Sequence, residues 1–148
     1  MSQKPHLTVA AVVENAGRFL MVEEEADGRV VYNQPAGHLD EGETLAQGVA
    51  RETLEETAWH FQPEAVVGIY RWSSPANGVT YVRVCFSGRC HGHEPGRVLD
   101  SGIRRALWLT RDEVSTLGHQ LRSPMVLHCI DDYLAGKSYP LGLITELV

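Results

Sequence analysis

Residues 44–59 constrain the fold of this 148-residue chain more than any other stretch. Leu45, Ala46, Val49, Ala50, Thr53 and Leu54 fall on one half of a helical wheel, the pattern of a helix that covers a sheet. Thr44 and Gln47 stand at its start with the spacing of a capping box, in which hydroxyl and amide satisfy orphan N–H groups. The same helix carries Glu52, Glu55 and Glu56. Residues three and four apart share a helix face, so these carboxylates project within an arc of roughly 100°. Gly48 lies on the same arc one turn earlier, and is expected to leave a gap where a ligand could approach the backbone.

The rest of the chain supplies the sheet. Leu7–Val13 is apolar and rich in β-branched residues, which predicts a buried strand. Asn15–Gly17 is a turn signal, and Arg18–Glu25 reads as the second strand of a hairpin. Asp27-Gly28 marks another turn, Arg29–Asn33 is extended, and Gln34–Gly37 breaks it. Val66–Ser74 and Val79–Gly88 read as strands joined by the Pro75–Gly78 turn, Arg89–Gly102 as a loop, and Arg104–Leu109 as a last strand. Asp112–Leu117 predicts a short helix. Ser123 before Pro124 is a good N-cap and first-turn pair for a final helix ending near Gly136. Strands and helices mix without strict βαβ alternation. The expected class is therefore α+β: a mixed sheet packed between helices as an α-β-α sandwich, one domain over residues 1–148.

Charge and composition remove several function classes. The 13 Lys+Arg against 19 Asp+Glu leave a net charge of −6, a poor basis for wrapping nucleic acid. If such a chain handles phosphates, something must supply positive charge locally. No apolar run is long enough to span a bilayer, and the opening residues lack the form of a secretory leader. Cys85, Cys90 and Cys129 are scattered, which predicts reduced thiols and the cytoplasm. Cys90-His-Gly-His93 offers three zinc-ligand types, but a closed site needs a fourth partner at tetrahedral reach, so it reads as a surface loop.

Three like charges on one arc repel, and a hard divalent cation relieves that repulsion. Mg²⁺ prefers oxygen ligands and combines a few carboxylates with substrate phosphates, so it would bridge an acidic protein to an anionic polyphosphate. Composition alone favours a solvated acidic face. The wider pattern changes the odds: Gly37, Glu43, Arg51, Glu52, Glu55 and Glu56 stand at the spacing Gly, five residues, Glu, seven residues, Arg-Glu, two residues, Glu-Glu. At ~7% per residue type, six such matches arise by chance about once in ten million starts. This resembles the box of the Nudix hydrolase family. Thr53, Ala58 and Trp59 depart from it, where an aliphatic, a Gly and an aliphatic are usual. Further segments, Tyr32–Leu39, that around Trp72, Leu121–Met125 and Ser138–Leu141, are similar to a bacterial phosphatase branch of that family.

The resemblance implies a Mg²⁺-dependent hydrolase, with Mn²⁺ as a substitute, cleaving diphosphate linkages of nucleoside tri- and diphosphates and thiamine-type pyrophosphates. It implies metal ligation by Glu52 and Glu56, assisted by Glu55 and the Gly37 carbonyl, with Glu43 and Arg51 as supports. The general base stays open between a box glutamate (Glu55 or Glu56) and a loop carboxylate. Asp100 is the loop candidate and Glu94 a weaker one; the plain alternative for Asp100 is a turn residue before Gly102. Arg83 and Trp72 are expected to grip substrate, by bidentate phosphate binding and by stacking, with Asn33 and Gln34 at the pocket edge. The plain readings are a solvent-facing strand residue for Arg83, core for Trp72 and polar filler for His38. Two alternatives stand: a Nudix pyrophosphatase for ADP-ribose, dinucleoside polyphosphates or damaged nucleoside triphosphates, and a nucleotide-binding module without catalysis. The expected partner is a small-molecule phosphate anhydride, with no nucleic acid or membrane, and the chain a monomer or homodimer.

Overall fold

The computed structural model describes residues 4–147. Eight strands and three helices follow one another as β1 (His6–Asn15), β2 (Arg18–Ala26), β3 (Arg29–Asn33), β4 (Ala36–His38), α1 (Leu45–Thr57), β5 (Trp59–Ser73), β6 (Thr80–His93), β7 (Ile103–Thr110), α2 (Arg111–Thr116), α3 (Met125–Leu134) and β8 (Tyr139–Pro140). The strands lie in the order β3-β2-β1-β6-β5-β8, with β4 added to β1 and β7 to β2. Among the named strands of the described residues, β1 and β6 pair in parallel and the other pairings are antiparallel. The mixed sheet and the α+β class expected from the sequence are therefore what forms.

Burial shows why the helices lie on opposite faces. Residues 8–13 of β1 are all buried, so both faces of this strand are covered. Ala10 and Val12 join Val67, Cys85, Val126, Cys129 and Ile130 in one apolar cluster, which places α3 on that face. Val9, Ala11 and Val13 join Val49, Val66, Val84 and Phe86 in the other, which places α1 opposite. No helix of the described residues is long and apolar enough to cross a membrane.

Local signals set the element ends. The capping box of α1 forms: Gln47 N–H donates to Thr44 Oγ1 at 3.1 Å and Thr44 N–H to Gln47 Oε1 at 2.9 Å. The helix stops at Ala58, which takes a left-handed conformation (φ 64°) normally left to Gly and donates its N–H to the Leu54 carbonyl at 2.9 Å. Thr53, where an aliphatic is usual, is fully buried, because its hydroxyl donates to the Val49 carbonyl at 2.8 Å. At α3, Pro124 already has helical dihedrals, and Ser123 Oγ accepts the Met125 N–H at 3.1 Å.

Four local expectations change. Gln34–Gly37 does not simply break the chain, since Ala36–His38 forms a short strand against Thr8–Ala10. Strand β5 starts at Trp59, directly after α1, rather than at Val66. Strand β6 continues to His93, so Cys90–His93 is strand and not loop, paired with Trp59, His60 and Phe61. Its Cys90 side chain packs against the α1-side core cluster. The gap at Gly48 is closed, because Leu39 Cδ1 and Glu43 Oε1 lie 2.8 and 3.0 Å from where a Cβ would stand.

Candidate metal centre and active-site cleft

One arginine organises the acidic arc of α1. Arg51 Nε and Nη2 donate to the two oxygens of Glu43 at 2.9 and 2.7 Å, a bidentate pair. Its Nη1 donates to Glu52 Oε1 and to Glu55 Oε1, each at 2.9 Å, and its Nη2 also reaches the His38 carbonyl at 3.1 Å. Asp40 lies 3.2 Å from Nε. The guanidinium holds the Glu43 carboxyl below its ordinary value, while burial pushes Glu52 up despite Arg51. Arg51 and Glu43 are thus brought together with the arc they were expected to support.

The arc is completed from a distant loop. Asp100 N–H donates to the Glu55 carbonyl at 3.0 Å and the Asp100 carbonyl accepts from Ile103 N–H at 3.0 Å. The turn reading and the site reading of Asp100 therefore coexist: its backbone makes the turn, and the turn delivers its side chain. Carboxylate oxygens of Glu52, Glu55 and Asp100 all lie within 4.8 Å of one another. Gly37 packs its backbone directly on the Glu52 carboxylate, and a Cβ there would collide with it. An all-oxygen set at this spacing, with a backbone carbonyl's residue pressed against it, fits a hard divalent cation.

Glu56 stands outside that trio. Its Oε1 accepts the Ala36 N–H at 3.0 Å, and burial, reinforced by the charges of Glu52, Glu24 and Asp100, pushes its carboxyl up to about 9. Glu94 is engaged elsewhere, 2.6 Å from His60 Nε2 and 3.6 Å from Arg97. His38 bonds His6, Nε2 to Nδ1, at 2.9 Å. Among the described residues, Cys90, His91 and His93 join no metal-competent cluster.

A cleft of about 480 Å³ opens beside the carboxylates, lined among others by Gly37, Glu56, Trp72 and Arg83. Strand register lays out one side of it: His38, Thr8 and Arg83 form one row across β4, β1 and β6, and Tyr81 and Trp72 pair in the next across β6 and β5. Trp72 is half-buried and stacks on Tyr81 with ring centroids 6.1 Å apart, so it is cleft wall rather than core. Arg83 is 4% exposed, not a solvent-facing strand residue. Its Nη1 donates to Gln34 Oε1 at 2.8 Å and its Nη2 to Asn33 Oδ1 at 3.2 Å. Asn33 lines the cleft, whereas Gln34 lies beneath it, 1% exposed. Sequence reasoning missed Tyr81 and Arg122. Tyr81 was within reach, because the Ser74–Val79 turn sets Trp72 opposite it. Arg122 enters through a non-local contact, its N–H donating to the Tyr32 carbonyl at 2.8 Å, and its side chain pairs with Glu24 at 2.6 Å on the cleft wall.

Residues 4–129 match the family described as "NUDIX domain". The chain belongs to the Nudix family. It is 39% identical to phosphatase NudJ of Escherichia coli K12 over 143 residues, 97% of this chain and 92% of that one. A solved Nudix hydrolase from Nitrosomonas europaea superposes with a TM-score of 0.95 at 47% identity, covering 97% and 98% of the two chains. The Nudix domain of Shewanella oneidensis NrtR, solved with ADP-ribose, shares the fold at 20% identity and a TM-score of 0.74, covering 91% and 90%. This Nudix chain is thus a hydrolase acting on phosphorus anhydrides, and it carries the acidic cluster that Nudix hydrolases generally use with a divalent metal.

Proposed function

We propose that this chain is a Mg²⁺-dependent phosphatase that hydrolyses the diphosphate linkage of nucleoside tri- and diphosphates and of thiamine-type pyrophosphates. The observation that carries the reading is the trio Glu52, Glu55 and Asp100, oxygens within 4.8 Å, beside a cleft with a buried arginine and an aromatic wall. The likeness to phosphatase NudJ over nearly the whole chain supports the choice of substrates. The free thiols suit a reducing cytoplasm. An acidic chain suits small-molecule substrates rather than nucleic acid.

The Gly37 carbonyl with Glu52, Glu55 and Glu56 would hold the cation. When bound, the metal neutralises phosphate charge and lowers the pKa of bound water. The protein's own residues do the rest. Arg51 Nη1 bridges Glu52 and Glu55, so one cation screens their mutual repulsion, with Glu43 fixing Arg51 in turn. Asp100 or a box carboxylate, Glu55 or Glu56, takes the proton from the attacking water. Of these, Asp100 is exposed and held only through its backbone, which leaves its carboxylate free to accept. Arg83 takes a phosphate oxygen from the cleft floor, Asn33 and Trp72 flank it, and Trp72 offers a ring face.

The test is product identity by ³¹P NMR with Mg²⁺ and then with chelator, on a nucleoside triphosphate, a nucleoside diphosphate, thiamine diphosphate and ADP-ribose. Orthophosphate from the first three with ADP-ribose intact is the expected result. Cleavage of ADP-ribose alone would move the chain to another Nudix activity, and metal binding without turnover would make it a binding module.

A further inference from the structure

The Arg83 guanidinium is buried without a carboxylate. Its two hydrogen-bond partners are the neutral amides of Gln34 and Asn33, and its Nε has no hydrogen-bond partner. A charge taken out of water at this depth is costly unless it is paired. The contrast with Arg51, which touches four carboxylates, is large. On the core side, the Cys129 thiol is biased toward ionisation by Cys85 and by Arg83, and it lies away from the cleft in the apolar cluster under α3. On the open side, Arg83 lines the cleft.

Gln34 explains how the guanidinium keeps its place. Gln34 Nε2 donates to the Val126 carbonyl in α3 at 2.6 Å while its Oε1 accepts from Arg83, so one buried amide ties the cation to a helix. A glutamate would supply the acceptor but also the counter-ion, and would lack the donor for Val126. Asn33 is neutral as well, two residues after Val31 on the same strand, with its oxygen on Nη2. Two amides therefore orient Arg83 without quenching it.

We infer that Gln34 and Asn33 are positioning residues that hold Arg83 with neutral acceptors, so that its buried charge is kept for an anionic group of the substrate. This rests on the phosphate-anhydride reading of the cleft. The register adds where that group lies. Arg83 sits two strands from His38 and on the same side as the Trp72–Tyr81 pair, and it lines the cleft together with Gly37 and Glu56. The anionic group it receives therefore lies between the carboxylate trio and the aromatic wall, and substrates with a negative group near a flat ring are favoured over uncharged esters.

The test is Asn33→Asp, which places a counter-ion on Arg83 with nearly unchanged shape. Steady-state kinetics on thiamine diphosphate and a nucleoside diphosphate, and calorimetric binding of imidodiphosphate with Mg²⁺, are compared with the wild type. The expected result is a KM raised about tenfold or more, the size of a lost charge-assisted contact, with kcat much less changed and the melting temperature equal or higher. Gln34→Leu is expected to raise KM as well; its melting curve shows how much of that is loss of fold. Asn33→Asp with unchanged KM and unchanged imidodiphosphate affinity would overturn the inference, as would a Cys129→Ser variant that reproduces the Asn33→Asp change. A wild type that hydrolyses and binds none of the probes would instead overturn the phosphate-anhydride reading itself.

Discussion

Replacing Arg51 by Met keeps the aliphatic stem and removes five donated hydrogen bonds, to Glu43 twice, Glu52, Glu55 and the His38 carbonyl. The Arg51 side chain is 25% exposed, Glu43 15% and Glu52 12%, but Glu55 is 32% and Asp40 66% exposed. Stripping the partner from a fully buried pair costs about 3–5 kcal/mol, and an exposed pair is worth about 0–1 kcal/mol. The Glu43 and Glu52 contacts lie near the first limit and the Asp40 and Glu55 contacts near the second, which gives a loss of about 3 kcal/mol for metal-free protein at neutral pH. At about 2–4 °C per kcal/mol for a chain of this length, the melting temperature falls by about 6–12 °C. The assay is urea and thermal unfolding in chelator, at neutral pH and in acid. Arg51 holds Glu43 below its ordinary value of 4.5, so that contribution is full above this pH and is lost as pH falls through the lower folded-state value. The gap between wild type and variant therefore narrows in acid. Mg²⁺ narrows it too, since it neutralises part of the arc, but cannot close it while Glu43 keeps only the Asp40 N–H of its donors. A neutral-pH loss under about 1 kcal/mol, or a gap that does not change with pH, would refute this account of the arc.

The buried Glu56 carboxyl titrates near 9 in the folded state against an ordinary 4.5, so metal-free protein loses stability as pH rises from about 4.5 through about 9. Glu56→Gln, which mimics the neutral form, should flatten that slope in urea melts at pH 5, 7 and 9 while cutting turnover by about 10²-fold or more; parallel slopes would contradict the assignment. Asp100→Asn is expected to lower kcat with little change in KM, and unchanged kinetics would leave Asp100 a turn residue only. Ala58→Gly relieves a left-handed alanine at the end of α1 and should stabilise by about 0.5–1 kcal/mol in thermal melts, with activity unaltered.

What could be read in advance follows the range of the forces involved. Helix α1 was legible to its cap, because the capping box and the apolar flank act within a few residues. The two hairpin turns at Ala16-Gly17 and Asp27-Gly28 were legible for the same reason, each pair taking positive φ as such turns require. The first part of β5 was not. Burial alternates from Phe61 to Glu64, but one of the buried positions is Pro63, a residue that argues against a strand, and the pairing with β6 shifts register between His60 and Phe61 and between Pro63 and Ala65. Gly88 lets this happen: it faces Pro63, and a Cβ there would strike the Gln62 carbonyl. Gly48 misled for the opposite reason, since a space on a helical wheel says nothing of Leu39 arriving from the preceding loop. Asp100 was found only as a loop carboxylate; its place beside Glu52 and Glu55 depends on one backbone bond to the end of α1.

The two arginines of the site answer the question that the net charge of −6 raised. An acidic chain that binds phosphates needs local positive charge, and Arg51 cannot supply it, because Glu43, Glu52, Glu55 and Asp40 already surround it. Its effect is to let three or more carboxylates coexist on one arc, which prepares a cation site rather than an anion site. Arg83 is the reverse case, a cation surrounded by amides and core. Burial alone would have been easier to satisfy with an apolar side chain at the same place on β6, as the fully buried Cys85 shows two residues on along the same face. Keeping an arginine there, oriented by Gln34, which is itself tied to the Val126 carbonyl of α3, costs stability in the free protein, a cost that the proposed anion in the cleft would offset. The proposed reading divides the labour, carboxylates for the metal and one arginine without a carboxylate for the phosphate, and it makes opposite predictions for two conservative changes: added negative charge at Asn33 should weaken substrate binding while leaving the fold intact, whereas lost positive charge at Arg51 should weaken the fold first.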